Sequence, residues 1–255
     1  MRESNTALQK AINELEEYLR KYYRSASERV LKEIEAYYGK ILTDTPLDAV
    51  RTHQLMFGRQ YEIYNEISKQ LLALGNTTTI EMEKKLIDFY KENYALVGAQ
   101  NGFYPVAIDD SLVRRIVNAV WVPQDGKTWS QRVWVNLENL QSSMGKILTD
   151  AMVTGLSTDK VTEMIMNDMN VGYSQACRLA RTELAHVRVQ STIDRYIEAG
   201  VTKYEYIANG PNMCEECEEL NGQIFDIEDI EHLPPVHPNC VCAILAVLDS
   251  KKETS

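Results

Sequence analysis

Basic residues are in short supply in this sequence. Lysine and arginine total 27 against 37 aspartates and glutamates, a formal net charge of -10 at neutral pH. A chain this acidic is a poor generic binder of nucleic acid or of an anionic membrane. No apolar run approaches the roughly 20 residues that a membrane-spanning helix needs. The opening, Met1-Arg-Glu-Ser-Asn5, is polar and lacks the apolar stretch of a secretory signal. The expected compartment is therefore reducing cytosol, where clustered cysteines are more often metal ligands than disulfides. Several catalytic signatures are missing as well. There is no glycine-rich phosphate loop, no Gly-x-Ser-x-Gly elbow, no His-Glu-x-x-His and no zinc-deaminase pairing of His-x-Glu with Pro-Cys-x-x-Cys. Internal repeats are absent. Cysteine is rare, with five in 255 residues.

What is present is an ordinary globular composition, 44% hydrophobic and 25% charged, enough for a real core. The length fits one large domain or two small ones. Apolar residues recur at helical spacing from Asn5 to Ile41, through Leu8, Ala11, Ile12, Leu15, Leu19, Tyr22 and Tyr23, then Leu31, Ile34, Tyr37 and Tyr38. Thr43-Asp-Thr-Pro46 predicts a break, because proline cannot continue a helix interior. A second helix is expected from Leu47 to Leu74, ended by Gly75-Asn76, and a third from Ile80 to Val97 behind Thr77 to Thr79. A short helix follows Asp109-Asp110. Ser130 is expected to cap a long helix reaching Thr154-Gly155, and Ser157-Thr-Asp a shorter one over Lys160 to Asn167. Gly172-Tyr-Ser174 is expected to open another, ending at Ala199-Gly200. After Gly200 the pattern turns to strands: Val201 to Ile207, Gln223 to Phe225, and Val241 to Leu248. The fold class read from this is mainly α, with long helices and a small α+β C-terminal module. Lys251 to Ser255 read as a frayed tail.

Four of the five cysteines fall in that module. Cys214-Glu-Glu-Cys217 is followed after nineteen residues by His237-Pro-Asn-Cys240-Val-Cys242. Two knuckles at this spacing suit one tetrahedral Zn²⁺. Cys214, Cys217, His237, Cys240 and Cys242 are five candidates for four positions. If Val241 lies in a strand, Cys240 and Cys242 share a face and the set is Cys₄; the alternative is Cys₃His with Cys242 spare. A closed site of either kind is structural. Around it the chain is acidic: Glu215, Glu216, Glu218, Glu219, Asp226, Glu228, Asp229 and Glu231, with no lysine or arginine among them. This reads as a solvated surface, or as a patch facing a basic partner. On the preceding helix, Arg181-Thr-Glu183-x-x-His186 places Glu and His on one face, but a di-iron bundle needs a second Glu-x-x-His. Arg181 and Glu183 read as a structural pair that fixes the module against the helix. Cys177, among Ala176, Leu179 and Ala180, reads as a small buried hydrophobe. The tyrosines of the helical body suit core edges or a docking surface.

The motifs together resemble a family. Thr128-Trp-Ser-Gln-Arg-Val-Trp134, Gly155-Leu-Ser, Ala180-Arg-Thr-Glu183, Cys214-Glu-Glu-Cys217 with Leu220-Asn-Gly222, and Pro234-Pro-Val-His-Pro-Asn-Cys-Val-Cys242 occur in the order seen in the phage Mu F-like minor head proteins, also called phage head morphogenesis proteins. The resemblance covers about Ala107 to Leu248. Val241 stands where the family usually has arginine between the last two cysteines.

The resemblance implies a helical N-terminal region over 1–106 that varies in the family and faces the portal. It implies a Mu F-like domain over 107–250, with helices in 108–199 and a knuckle module in 200–248. It implies a structural, non-enzymatic minor component of a tailed phage, associated with the portal protein inside the capsid near the portal vertex and present in host cytoplasm during assembly. It implies action in assembly, DNA ejection or both. Other capsid or scaffolding proteins and weak DNA contact complete the expected partners, with no membrane. Some relatives carry a fused toxin enzyme; the absence of residues for one after Leu248 suggests the bare structural version. Two readings compete: a hydrolase or nuclease using Arg181, Glu183 and His186, and a zinc-bearing nucleic-acid module.

Overall fold

The computed structural model describes residues 2–43, 49–122, 125–209 and 214–248. Among them lie six helices and three strands: α1 (Arg2–Thr43), α2 (Ala49–Gln100), α3 (Asp110–Val117), α4 (Trp129–Thr154), α5 (Thr158–Glu198), β1 (Lys203–Ile207), α6 (Glu215–Leu220), β2 (Ile224–Asp226) and β3 (Ala243–Ala246). The mainly helical fold with a small C-terminal α+β module is the one expected. The stripe on α1 is buried at Leu8, Ala11, Ile12, Leu15, Leu19, Tyr23 and Ile34. Beyond Thr43, the expected break to Pro46 lies outside the described residues, as do the side chains of Tyr37 and Tyr38 and the tail 251–255.

Two expected helix ends are not ends. Gly75-Asn76 lies inside α2, which runs unbroken to Gln100, and Thr77 to Thr79 are helical rather than caps. A Cβ on Gly75 would collide with the Trp134 ring, so this glycine serves a close approach of an aromatic ring and not a left-handed C-cap. Thr79 bonds back to the Gly75 carbonyl at 2.9 Å, which keeps its hydroxyl satisfied within the helix. Likewise α5 runs unbroken through Asn167 and Gly172. A Cβ on Gly172 would meet Leu140 Cδ2 at 2.8 Å and Tyr23 at 3.4 Å. In both places packing outweighs the roughly 1 kcal/mol that glycine costs a helix interior.

The cap of α4 also differs from expectation. Thr128, not Ser130, is the N-cap: its hydroxyl accepts from Gln131 N at 3.2 Å and Gln131 Oε1 accepts from Thr128 N at 2.9 Å, a reciprocal capping box. Gly155, in the left-handed region at φ 70°, ends that helix as expected. The short helix expected after Asp109-Asp110 is α3, and Asp109 is its N-cap, accepting from Ser111 N and Leu112 N.

The chain forms two compact units. One comprises Met1–Leu15, Met82–Gly126 and Arg178–Ser255; the other comprises Glu16–Glu81 and Lys127–Cys177. The first holds the cysteine module. Its antiparallel sheet has the order β2-β1-β3. On central β1, Tyr204 and Tyr206 point to the same face, two residues apart, and both are fully buried. Tyr204 joins an apolar cluster with Val97, Val189, Ile193, Tyr196, Val201 and Ile244. Tyr206 joins a second cluster with Cys217, Cys240 and Cys242.

Candidate metal centre

The first knuckle is built by α6. Cys214 is its N-cap, with extended backbone (φ -83°, ψ 162°), and its sulfur accepts from Cys217 N at 3.4 Å. That places the two sulfurs three residues apart on one side of a single turn. Cys217 is buried, while Glu215, Glu216, Glu218 and Glu219 stay exposed. The acidic run is therefore a solvated face of the knuckle.

The second knuckle is a tight turn. Cys240 N donates to His237 O at 3.2 Å, and Asn239 sits in the left-handed region at φ 63°. Asparagine tolerates that region better than most residues. The Asn239 N–H donates to Thr182 Oγ1 on α5 at 3.1 Å. His237 Nδ1 lies 2.9 Å from Pro238 O. A carbonyl only accepts, so Nδ1 is the donor in this contact and Nε2 is the ring nitrogen left to face the sulfurs. Nε2 is 3.4 Å from Cys217 Sγ.

All five candidates come together. Cys214, Cys217 and His237 form one group with ligand atoms within 4.8 Å of one another, and Cys217, Cys240 and Cys242 form a second. Cys217 belongs to both, and none of the four sulfurs is in a disulfide. Zinc–sulfur bonds near 2.3 Å in a tetrahedron place sulfurs roughly 3.8 Å apart, and an imidazole nitrogen about 3.6 Å from a sulfur. The observed Cys217–Cys240 and Cys217–His237 separations are 3.9 Å and 3.4 Å. Donor chemistry and spacing fit a metal ion of zinc type. Cys240 and Cys242 converge although Val241 is not in a strand, since β3 starts at Ala243. Their convergence comes from the turn and its anchors on α5 rather than from the pleat.

The cluster is electrostatically uneven. The Cys242 thiol is lowered to about 5, mainly by the hydrogen bond from Cys240 and with help from Tyr206, against the opposing effect of burial. Cys240, the partner in that bond, is raised. Burial lifts Cys217 to about 12. Tyr206, buried and 3.5 Å from Cys217 Sγ through its hydroxyl, is raised too.

Arg181, Thr182, Glu183 and His186 all lie on α5. Glu183 is 1% exposed and accepts from the Trp121 indole N–H at 2.8 Å. The Trp121 ring stacks on His186, with centroids 4.3 Å apart and planes 10° from parallel. Cys177 is buried, as expected. Sequence reasoning passed over Thr182, Tyr206, Trp121 and above all Arg188, which donates from Nη2 to Val241 O at 2.8 Å and Cys242 O at 2.5 Å. The available signal was a charged residue on an otherwise buried stripe, Leu184, Arg188, Ser191 and Arg195, at helical spacing.

Comparison with known proteins agrees with the motif reading. The chain resembles the NAD(+)–arginine ADP-ribosyltransferase EFV of Enterococcus faecalis (strain ATCC 700802 / V583), at 23% identity over 88% of this chain and 47% of that protein. The chain thus spans about half the length of that curated relative. No solved structure matches. The model of the family described as Phage Mu protein F like protein matches residues 142–245, a stretch that holds Ala180-Arg-Thr-Glu183 and every candidate ligand. In sequence and in the order of its motifs, this stretch of the chain is similar to the Phage Mu protein F like family.

Proposed function

We propose that the chain is a structural minor head protein of a tailed phage, bound to the portal protein inside the capsid and acting in head assembly, DNA ejection or both. The observation that carries this reading is that the polar residues of Ala180-Arg-Thr-Glu183 are engaged in structural bonds, one of them to a second family motif. Thr182 of Ala180-Arg-Thr-Glu183 receives Asn239 of the His-Pro-Asn-Cys turn, and Glu183 receives Trp121. Residues engaged in this way hold a module in place. Arg181 and Glu183 brace it against α5.

In this reading Zn²⁺ occupies four of Cys214, Cys217, His237, Cys240 and Cys242. A closed four-ligand zinc supplies cross-linking and no activated water. The Mu F-like domain is 107–250, and 1–106 is the portal-facing or assembly-facing part. The protein is made in host cytoplasm and resides near the portal vertex, where it also meets scaffolding or capsid proteins and touches DNA weakly. No helix among the described residues is long and apolar enough to cross a membrane. The activity in the Enterococcus faecalis protein's name is that protein's, and this chain spans about half of it.

Co-expression with the portal protein of the same phage tests the proposal. A stable complex on size exclusion supports it; separate elution at micromolar concentrations, with both partners folded, contradicts it.

A further inference from the structure

Arg188 is an unusual residue to find where it is. Its side chain is on α5, 2% exposed, in the interior of the unit that holds the module. Nη1 donates to Asn5 Oδ1 at 2.8 Å, and Nη2 to the carbonyls of Val241 and Cys242. Among the described residues Nε has no partner, and it lies beside a cavity of about 30 Å³ lined by Ser4, Asn5, Thr192 and Tyr196 among others. The acceptors it does have are all neutral. A buried guanidinium with neutral acceptors alone carries a large desolvation cost that only a nearby negative charge offsets. Burial pushes the Arg188 guanidinium below its usual range, and the nearby Cys240 and Cys242 act in the opposite direction.

We infer that Arg188 is the counter-cation of a thiolate-rich metal centre: its fork on Val241 O and Cys242 O holds the Cys240-Val241-Cys242 segment in ligating register, and its charge balances the excess negative charge that the thiolates leave on a divalent ion. Four thiolates around a divalent ion leave two net negative charges, and three leave one. A cation held against the ligand-bearing backbone, and away from solvent, stabilises either. Arg188 is a positioning residue here, acting on the metal through the segment it grips. The inference rests on the metal reading of the module.

The test uses the full-length chain. Co²⁺ is titrated into the apo protein and its thiolate-to-metal charge-transfer band followed; Zn²⁺ affinity is then measured against a competing chelator. Outer-shell partners of metal ligands are worth about 10- to 100-fold in affinity. The expected result is a loss of that size for Arg188→Gln with far-UV circular dichroism unchanged, and recovery of most of it in Arg188→Lys, which keeps the charge. Affinity within twofold of wild type in Arg188→Gln overturns the inference. So does Arg188→Lys binding as weakly as Arg188→Gln, since charge then plays no part. If neither variant folds, the wild type decides by NMR of the Arg188 Nε–H. Slower solvent exchange on Cd²⁺ loading is expected, and identical exchange in apo and loaded protein overturns the inference. Wild-type protein that takes up no metal removes the metal reading and this inference together. Uptake without an Arg188 effect removes this inference alone.

Discussion

Cys217 is where the two knuckles meet. Its sulfur is shared by both ligand groups, lies 3.4 Å from His237 and 3.9 Å from Cys240, and is buried under Tyr206. Serine at 217 or at 240 removes a ligand and leaves a hydroxyl in a sulfur-lined interior. The C-terminal module of Cys217→Ser and of Cys240→Ser is expected to unfold at lower temperature than in wild type while helical circular dichroism is largely kept. A chelator should do the same to wild type, because metal binding to a structural site is folding free energy. Unchanged unfolding in all three cases would contradict a structural metal. Thr182 acts by another route. Replacing it with valine keeps the shape and strands the Asn239 N–H, at a cost of about 1–3 kcal/mol. Chemical denaturation of Thr182→Val should show a loss in that range, and no loss would show that Asn239 finds another acceptor.

The helices show which parts of the sequence could be read and which could not. The stripe on α1, the short helix after Asp109-Asp110 and the Gly155 terminus were legible because periodicity, carboxylate capping and left-handed glycine are local effects. Gly75 and Gly172 were misread because a glycine placed for a helix end and one placed for a neighbour's ring look alike along the chain. Only three-dimensional packing separates them. The same limit hid Arg188, whose partners are 53 and 54 residues away. The clustering of the five candidates was legible, since knuckle spacing is a local signature, whereas the anchors on α5 that aim them were not. If packing is the reason for these glycines, Gly172→Ala should destabilise the protein by about 1–3 kcal/mol through overpacking against Leu140, despite alanine's better helix propensity. A rise in melting temperature for Gly172→Ala would instead mean that Leu140 moves aside freely.

At the scale of the whole molecule, a long helical body precedes, along the chain, a small module with a strongly acidic surface. The sequence excess of acid is displayed on the exposed side of α6, at Glu215, Glu216, Glu218 and Glu219. Such a surface disfavours tight electrostatic contact with DNA, so any DNA affinity should be weak at physiological salt. It suits a protein partner with basic character. The proposed residence at the portal can be observed by electron microscopy of purified phage heads made with and without the gene for this chain. Density for the helical body and its module is expected on the inner side of the portal vertex, absent from heads made without the protein. Heads that are indistinguishable in the two preparations, with the chain absent from both by mass spectrometry, would contradict it.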